Sequence, residues 1–238
     1  MRRAALAIAV VVWGGALAGP AAAATKGPVV RQLVAFRDGD VVEKRVRASA
    51  ASAKVGGGRC ALGRATPLAA LVRSRPGKIG LRDFGSCSRR AGDSGQLFVR
   101  SVRKDRNRGL DGWVYKVGRK LASAGAADTT GPFGRGRLKR GQRVTWFYGR
   151  SRQGSFQRTL ELDASQSSAD GTVAVRVRGY DDDGRGVAIA GAEVRAGGTM
   201  AVTDSAGVAM LGLAPGSYRM RARKRGLISS FELKVTVR

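Results

Sequence analysis

Trp113 and Tyr115 stand two residues apart in GLDGWVYKVG (109–118), and Trp146 and Tyr148 repeat that spacing in RVTWFYG (143–149). On a strand, positions i and i+2 point to one face, so each pair presents its two rings together. If the two strands pair, four rings gather on one surface. Such a cluster is either a core patch that fastens two strands, the commoner use of cross-strand aromatics, or a platform on which a flat ligand such as a corrin, a sugar or a base stacks. Residue type and spacing leave both open.

Arginine supplies the second chemistry. The 238 residues carry 44 Lys and Arg against 17 Asp and Glu, a formal charge of +27. Arg89, Arg90, Arg100, Arg103, Lys104, Arg106 and Arg108 surround the second cysteine and the first aromatic strand, and Arg135, Arg137, Lys139, Arg140 and Arg143 form a second cluster. A field of this size accelerates association with any polyanion. These twelve residues are therefore candidates for a polyanion-binding face, the alternative being a solvated surface with no specific partner. No aromatic code for nucleic acid is interleaved with them.

Other chemistries find little material. The chain has no histidine and two cysteines, Cys60 and Cys87, too few soft ligands for zinc. Asp181, Asp182 and Asp183 precede Gly184, but the downstream bidentate carboxylate of a calcium loop is missing, so the segment reads as an Asp-Gly turn. No metal and no cofactor is expected. No serine sits in a Gly-x-Ser-x-Gly turn, and Asp83, Asp93 and Asp128 are scattered among arginines, a setting that does not suit a general acid. A catalytic role is not expected.

The elements that hold these residues can be placed in order. MRRAALAIAVVVWGGALAGPAAAAT has two arginines, an apolar run from Ala4 to Leu17 and the small residues Ala22 to Ala24, which is the pattern of a secretory signal peptide over residues 1–24. The run is shorter than the ~20 residues a bilayer span needs. A secreted chain of 214 residues with a charge of +25 and no membrane span is the expected product. In that setting two cysteines read as one disulfide, Cys60 to Cys87, closing a loop of 27 residues and contributing ~3 kcal/mol on a chain-entropy argument.

Charge divides the mature chain, with +20 on residues 25–170 and +5 on 171–238. The polar stretch DASQSSADG (163–171) between them reads as a linker, with one module over 25–162 and another over 172–238. In the first module VVRQLVAF and VVEKRVRA flank Arg37-Asp38-Gly39-Asp40, a hairpin signal. Thr66 is placed to cap a helix with Pro67 at its first position, Leu68, Leu71 and Val72 on its apolar face and Pro76 beyond its end. Strands KIGLRDFG, QLFVRSVRK, GWVYKVG and RVTWFYG follow. In the second module, TVAVRVRGY, AEVRAG, MAVTD, AMLGL, SYRMRARK and FELKVTV alternate in the manner of a β-sandwich. That module is poor in large apolar residues and is expected to lean on its neighbour.

Two resemblances rest on these residues. Residues 60–149 resemble the β-grasp domain at the C-terminus of transcobalamin and intrinsic factor, which also occurs in bacterial secreted and surface proteins. Gly112, Trp113, Tyr115 and Val117 match its first aromatic strand, Gly125 and Ala126 its Gly-Ala pair, and Trp146 and Tyr148 its last strand; Gly118-Arg119 replaces its Asn-Gly turn, and Gly141-Gln142 its Gly-Asp. The second module resembles the Ig-like or prealbumin-like sandwiches of surface adhesins and carboxypeptidases, through Tyr180, Asp183-Gly184, Gly191-Ala192, Val194, Thr203-Asp204, Gly207, Leu211, Pro215-Gly216, Tyr218 and Ala222. The resemblances imply a mainly β fold: an α+β β-grasp module with one main helix, then an all-β Ig-like module. In the vitamin B12 carriers the β-grasp domain forms one side of the cobalamin site, but the helical partner domain has no counterpart here. The expected function is non-catalytic association with acidic polymers of the cell envelope, and the alternative is a soluble carrier stacking a flat ligand on the four rings.

Overall fold

The computed structural model describes residues 26–165 and 171–238; the expected signal peptide and residues 166–170 of the expected linker lie outside the described residues. The chain is mainly β. Strands β1 (Val29–Ala35) and β2 (Val41–Arg47) form the hairpin expected around Arg37–Asp40, with Gly39 at φ +94° in its turn. A second hairpin, β3 (Ala51–Val55) and β4 (Gly58–Leu62), leads to helix α1 (Pro67–Ser74). Strands β5 (Ile79–Asp83), β6 (Leu97–Val102) and β7 (Asp105–Arg106) make a separate small sheet. Next come β8 (Gly112–Val117), β9 (Lys120–Leu121) and β10 (Arg143–Gly149).

Helix α1 starts and stops where its sequence dictates. The Thr66 hydroxyl accepts from the Ala69 amide and donates to the Gly63 carbonyl, filling the N-cap role. Arg75 turns into the left-handed region at φ 50°, and Pro76 prevents continuation. Leu68, Ala69, Ala70 and Leu71 are fully buried, and Ser74 receives the side chains of Gln32 at 2.6 Å and, on its carbonyl, Lys44 at 2.9 Å, so the helix lies across β1 and β2. The Cys60–Cys87 disulfide ties β4 to the segment after β5.

The main sheet has the order β2-β1-β10-β8-β9, with β1 and β10 parallel at its centre and the other pairs antiparallel. Along β10 every residue from Val144 to Gly149 is buried. That pattern requires cover on both faces. Val30, Val34, Val144, Trp146 and Tyr148 face α1 and the first core. Leu33, Ala35 and Phe147 face the other way and pack with Ile228 and Phe231 of the second module.

The second module is two sheets on one core. Strand β12 (Thr172–Tyr180) has β11 (Thr159–Ala164) on one edge and β13 (Gly186–Ala188) and β16 (Val208–Gly212) on the other. The second sheet runs β15 (Thr199–Val202), β14 (Glu193–Ala196), β17 (Gly216–Arg223), β18 (Leu233–Val237). Val173, Val175, Val177 and Leu211 of the first sheet meet Val194, Met220, Ala222 and Val237 of the second. Strand β11 begins ahead of the expected linker and joins this sheet, so its pairing with β12 carries the chain directly from one module into the other.

Between the modules lies a buried cation. Lys116 on β8 is fully buried on the face away from α1, and its ammonium donates to the carbonyls of Tyr180 at 3.0 Å and Asp181 at 2.8 Å, with Asp182 Oδ1 at 3.3 Å. The expected Asp-Gly turn at 181–184 is thus a docking element. Asp181 closes it through the Gly184 and Arg185 amides, while Asp182 accepts from the Phe156 amide and its carbonyl from the Leu121 amide. Around the rim, Glu43 takes Arg31 at 2.6 Å and Arg221 at 3.0 Å, and Glu161 takes Arg119 at 2.7 Å and Arg143 at 2.8 Å.

Replacing Lys116 by Met leaves Asp182 and two covered carbonyls without their donor, and breaking a buried pair from one side costs about 3–5 kcal/mol. Denaturant titration of Lys116→Met is expected to show a loss in that range; wild-type stability would show that the seam does not depend on this ammonium. Burial pushes the Lys116 ammonium below its ordinary value, against the pull of Asp182. The unfolded chain keeps this proton up to pH ~10.4, while the folded chain releases it earlier. The unfolded state then binds more protons, so the contribution of Lys116 to stability rises with pH across that window. Paired titrations should show wild type gaining on Lys116→Met as pH climbs towards ~10.4, and a widening gap in the other direction would contradict the burial argument.

Candidate functional site

Strands β8 and β10 pair in the register that sets Tyr115 opposite Trp146 and Trp113 opposite Tyr148. Tyr115 and Trp146 stack at 4.8 Å between centroids, and Trp113 meets Tyr148 edge to face at 6.2 Å. The four rings therefore do form one cluster on the α1 side of the sheet. All four are buried, between 1% and 7% exposed. Trp113 Nε1 donates to the Asp105 carbonyl at 2.9 Å, and the Tyr115 and Tyr148 hydroxyls donate to the carbonyls of Ala124 and Arg106. Burial, with the Asp128 charge nearby, pushes the Tyr115 phenol far above its ordinary value. These hydrogen bonds make the rings part of the scaffold.

One atom in the cluster is left over. Trp146 Nε1 is buried with no hydrogen-bond partner. Trp113, Tyr115 and Trp146 also line a groove of about 320 Å³ at the open side of β8, together with Phe98, Leu121 and Phe156. Phe98 is 45% exposed and meets Phe84, itself 61% exposed, with the Arg82 guanidinium 4.6 Å above the Phe84 ring.

The twelve candidate cations do not share one fate. Arg143 turns inward to Glu161 and sits over the Phe231 ring. Arg103 lies over the Phe36 ring at 4.0 Å, donates to the Pro76 carbonyl and reaches Asp40, while Lys104 pairs with Asp38 at 3.1 Å. Lys104 holds the Asp38 carboxyl below its ordinary value, with help from the Asp40 amide. The other nine, Arg89, Arg90, Arg100, Arg106, Arg108, Arg135, Arg137, Lys139 and Arg140, are exposed and have no carboxylate partner among the described residues. Arg100 lies on the outer face of the β5-β6-β7 sheet with Phe98, whereas Arg135 to Arg140 lie on the loop before β10.

Two clefts open along the seam between the modules. One, of about 650 Å³, is lined by Arg31, Glu43, Arg219, Arg221 and Glu232, whose charges pair with one another, and by Lys44, Arg45 and Lys234, which have no carboxylate partner among the described residues. The other, of about 770 Å³, lies between the β1–β2 turn, the end of β10 and the β17–β18 loop, and it holds Arg37, Arg150, Arg223, Lys224 and Arg225. Those five were not among the sequence candidates. The run Arg223-Lys224-Arg225 is visible in the sequence, but its meeting with Arg37 and Arg150 depends on how the modules dock. Among the described residues no group of three or more His, Cys, Asp or Glu is arranged to hold a metal ion.

Trp113→Ala removes a buried indole and its hydrogen bond, a change that costs about 3–5 kcal/mol. Denaturant unfolding followed by near-ultraviolet circular dichroism should show a loss of that size; a fully stable Trp113→Ala would move the rings from scaffold to site. No family model matches the chain, and no curated protein or solved structure matches it either.

Proposed function

We propose that the chain is an exported, non-catalytic binding protein of the bacterial cell envelope, held to acidic glycopolymers by charge. The observation that carries this reading is the set of nine exposed, unpaired cations on the first module, within a chain of formal charge +27. Four further carboxylates, Glu43, Glu161, Asp182 and Glu232, are engaged at the seam between the modules and do not face these cations. No helix among the described residues is long and apolar enough to cross a membrane. In this reading attachment rests on the surface charge. In this reading the first module is a β-grasp domain like that of transcobalamin; a parallel central pair flanked by a hairpin and one covering helix supports it. The second is an Ig-like spacer, which two facing sheets on one core support.

A second reading, a soluble carrier of a flat ligand, is favoured by the unpartnered Trp146 indole N–H and the 320 Å³ groove beside it. Salt separates the two. Mature protein bound to purified bacterial cell walls should be released by ~1 M sodium chloride, where the screening length has fallen to ~3 Å. Retention through that wash, or no binding at low salt, would overturn the charge reading; ring stacking would persist in high salt.

A further inference from the structure

We propose that the 770 Å³ cleft between the modules is a binding site for the phosphate groups of a polyol-phosphate polymer, built by Arg37, Arg150, Arg223, Lys224 and Arg225. The inference rests on the envelope-binding reading and gives it a specific seat. Two observations lead to it. First, these five cations come from three separated stretches of chain and line one cavity, and none has a carboxylate partner among the described residues. Second, each carboxylate on the same walls has a cation outside the cleft for its nearest charge partner: Asp38 has Lys104 at 3.1 Å, Asp40 has Arg103 at 3.9 Å, and Glu193 has Arg195 at 3.1 Å, which leaves five cations facing three carboxylates in the cleft.

The chemistry favours phosphate over carboxylate. A carboxylate is satisfied by one bidentate guanidinium in its own plane. A tetrahedral phosphate offers oxygens in several directions, which suits cations that converge from the β1–β2 turn, the end of β10 and the β17–β18 loop. Part of the framework is already fixed. The Arg150 guanidinium donates to the Arg37 carbonyl at 3.2 Å, the Arg37 guanidinium lies 5.9 Å from the Tyr148 ring, and the Lys224 ammonium donates to the Ala190 carbonyl. The cavity is far larger than one phosphate, so it has room for the polyol on either side. Its low-dielectric floor, buried Phe36, Tyr148 and Ile228, strengthens the field of the surrounding charges.

The test compares two variants of the full mature chain that lose the same charge. One removes the cleft cations, Arg37→Gln, Arg150→Gln, Arg223→Gln and Arg225→Gln, and the other the loop cations, Arg135→Gln, Arg137→Gln, Lys139→Gln and Arg140→Gln. The single charge reversal Arg225→Glu, on an exposed turn, serves as an independent check should the quadruple variant melt early. The probes are a synthetic poly(glycerol phosphate), glycerol 3-phosphate and a polyuronate, with affinity measured at physiological salt. The cleft variant should bind poly(glycerol phosphate) at least ~10-fold more weakly than the loop variant, while the polyuronate falls equally in both; a tenfold gap corresponds to ~1.4 kcal/mol. Equal losses for poly(glycerol phosphate) overturn the cleft and leave general charge attachment standing. Wild-type protein that binds neither polymer overturns both. Cleft-dependent binding of glycerol 3-phosphate without retention on cell walls keeps the cleft and overturns the envelope reading.

Discussion

The buried ammonium of Lys116 sets the terms for the rest of the molecule. A charge taken out of water must be given partners, and these come from the other module: two carbonyls and a carboxylate of the Asp181–Gly184 turn. Because Lys116 projects from the sheet face opposite α1, satisfying it obliges the second module to sit on that face. The same docking covers Leu33, Ala35 and Phe147, which otherwise would form an apolar patch on a sheet already covered on its other side. Apolar contact supplies most of the attraction and has no direction; the ammonium and the rim pairs at Glu43 and Glu161 fix one orientation.

That arrangement decides where the charge of the chain goes. Carboxylates are scarce, and the seam engages five of the seventeen: Glu43, Glu161, Asp181, Asp182 and Glu232 all answer arginine or lysine across or beside it. Arginine suits these places, since its fork reaches two acceptors and its planar group lies on rings, as Arg119 does over Tyr180 and Arg31 over Phe231. The cost falls on the outer surface, where cations outnumber anything that can neutralise them. Stability inside the seam and positive field outside it are two sides of one allocation.

Much of the local architecture was legible in the sequence. The Arg37–Asp40 turn, the Thr66-Pro67 helix start and the same-face placing of each Trp-Tyr pair follow from local rules, and a local rule survives whatever the rest of the chain does; the four-ring cluster also needed β8 and β10 to pair, and the Cys60–Cys87 bridge followed from there being just two cysteines. Six of the eight strands of the second module were readable by local rules as well. The short strands β7, β9 and β13 carry too few residues for alternation to register, and the end of β11, Asp163 and Ala164, reads as part of the polar linker while Thr159 to Leu162 fall in the first module. Lys116 was not legible at all. Inside GWVYKVG it has the look of an outward-facing strand cation, and only the arrival of a second module on that face makes it buried. Arg143 misled in the same way, since its neighbours Arg140 and Lys139 are exposed while it turns to Glu161.

The 770 Å³ cleft extends this logic to function. Its cations are more than a hundred and eighty residues apart in sequence at the extremes, Arg37 and Arg225, so no motif could announce them. They meet only because Lys116 and the rim pairs hold the modules in one orientation, which links the stability of the seam to the geometry of the site. An anion seated between Arg37 and Arg223 touches both modules and relieves the repulsion that the docked state concentrates there. A ligand that prefers the docked state stabilises it by mass action. On the proposed reading polyanion attachment and module docking reinforce each other, and a sheet that needs cover on both faces is the means by which a highly basic surface acquires a defined place to bind.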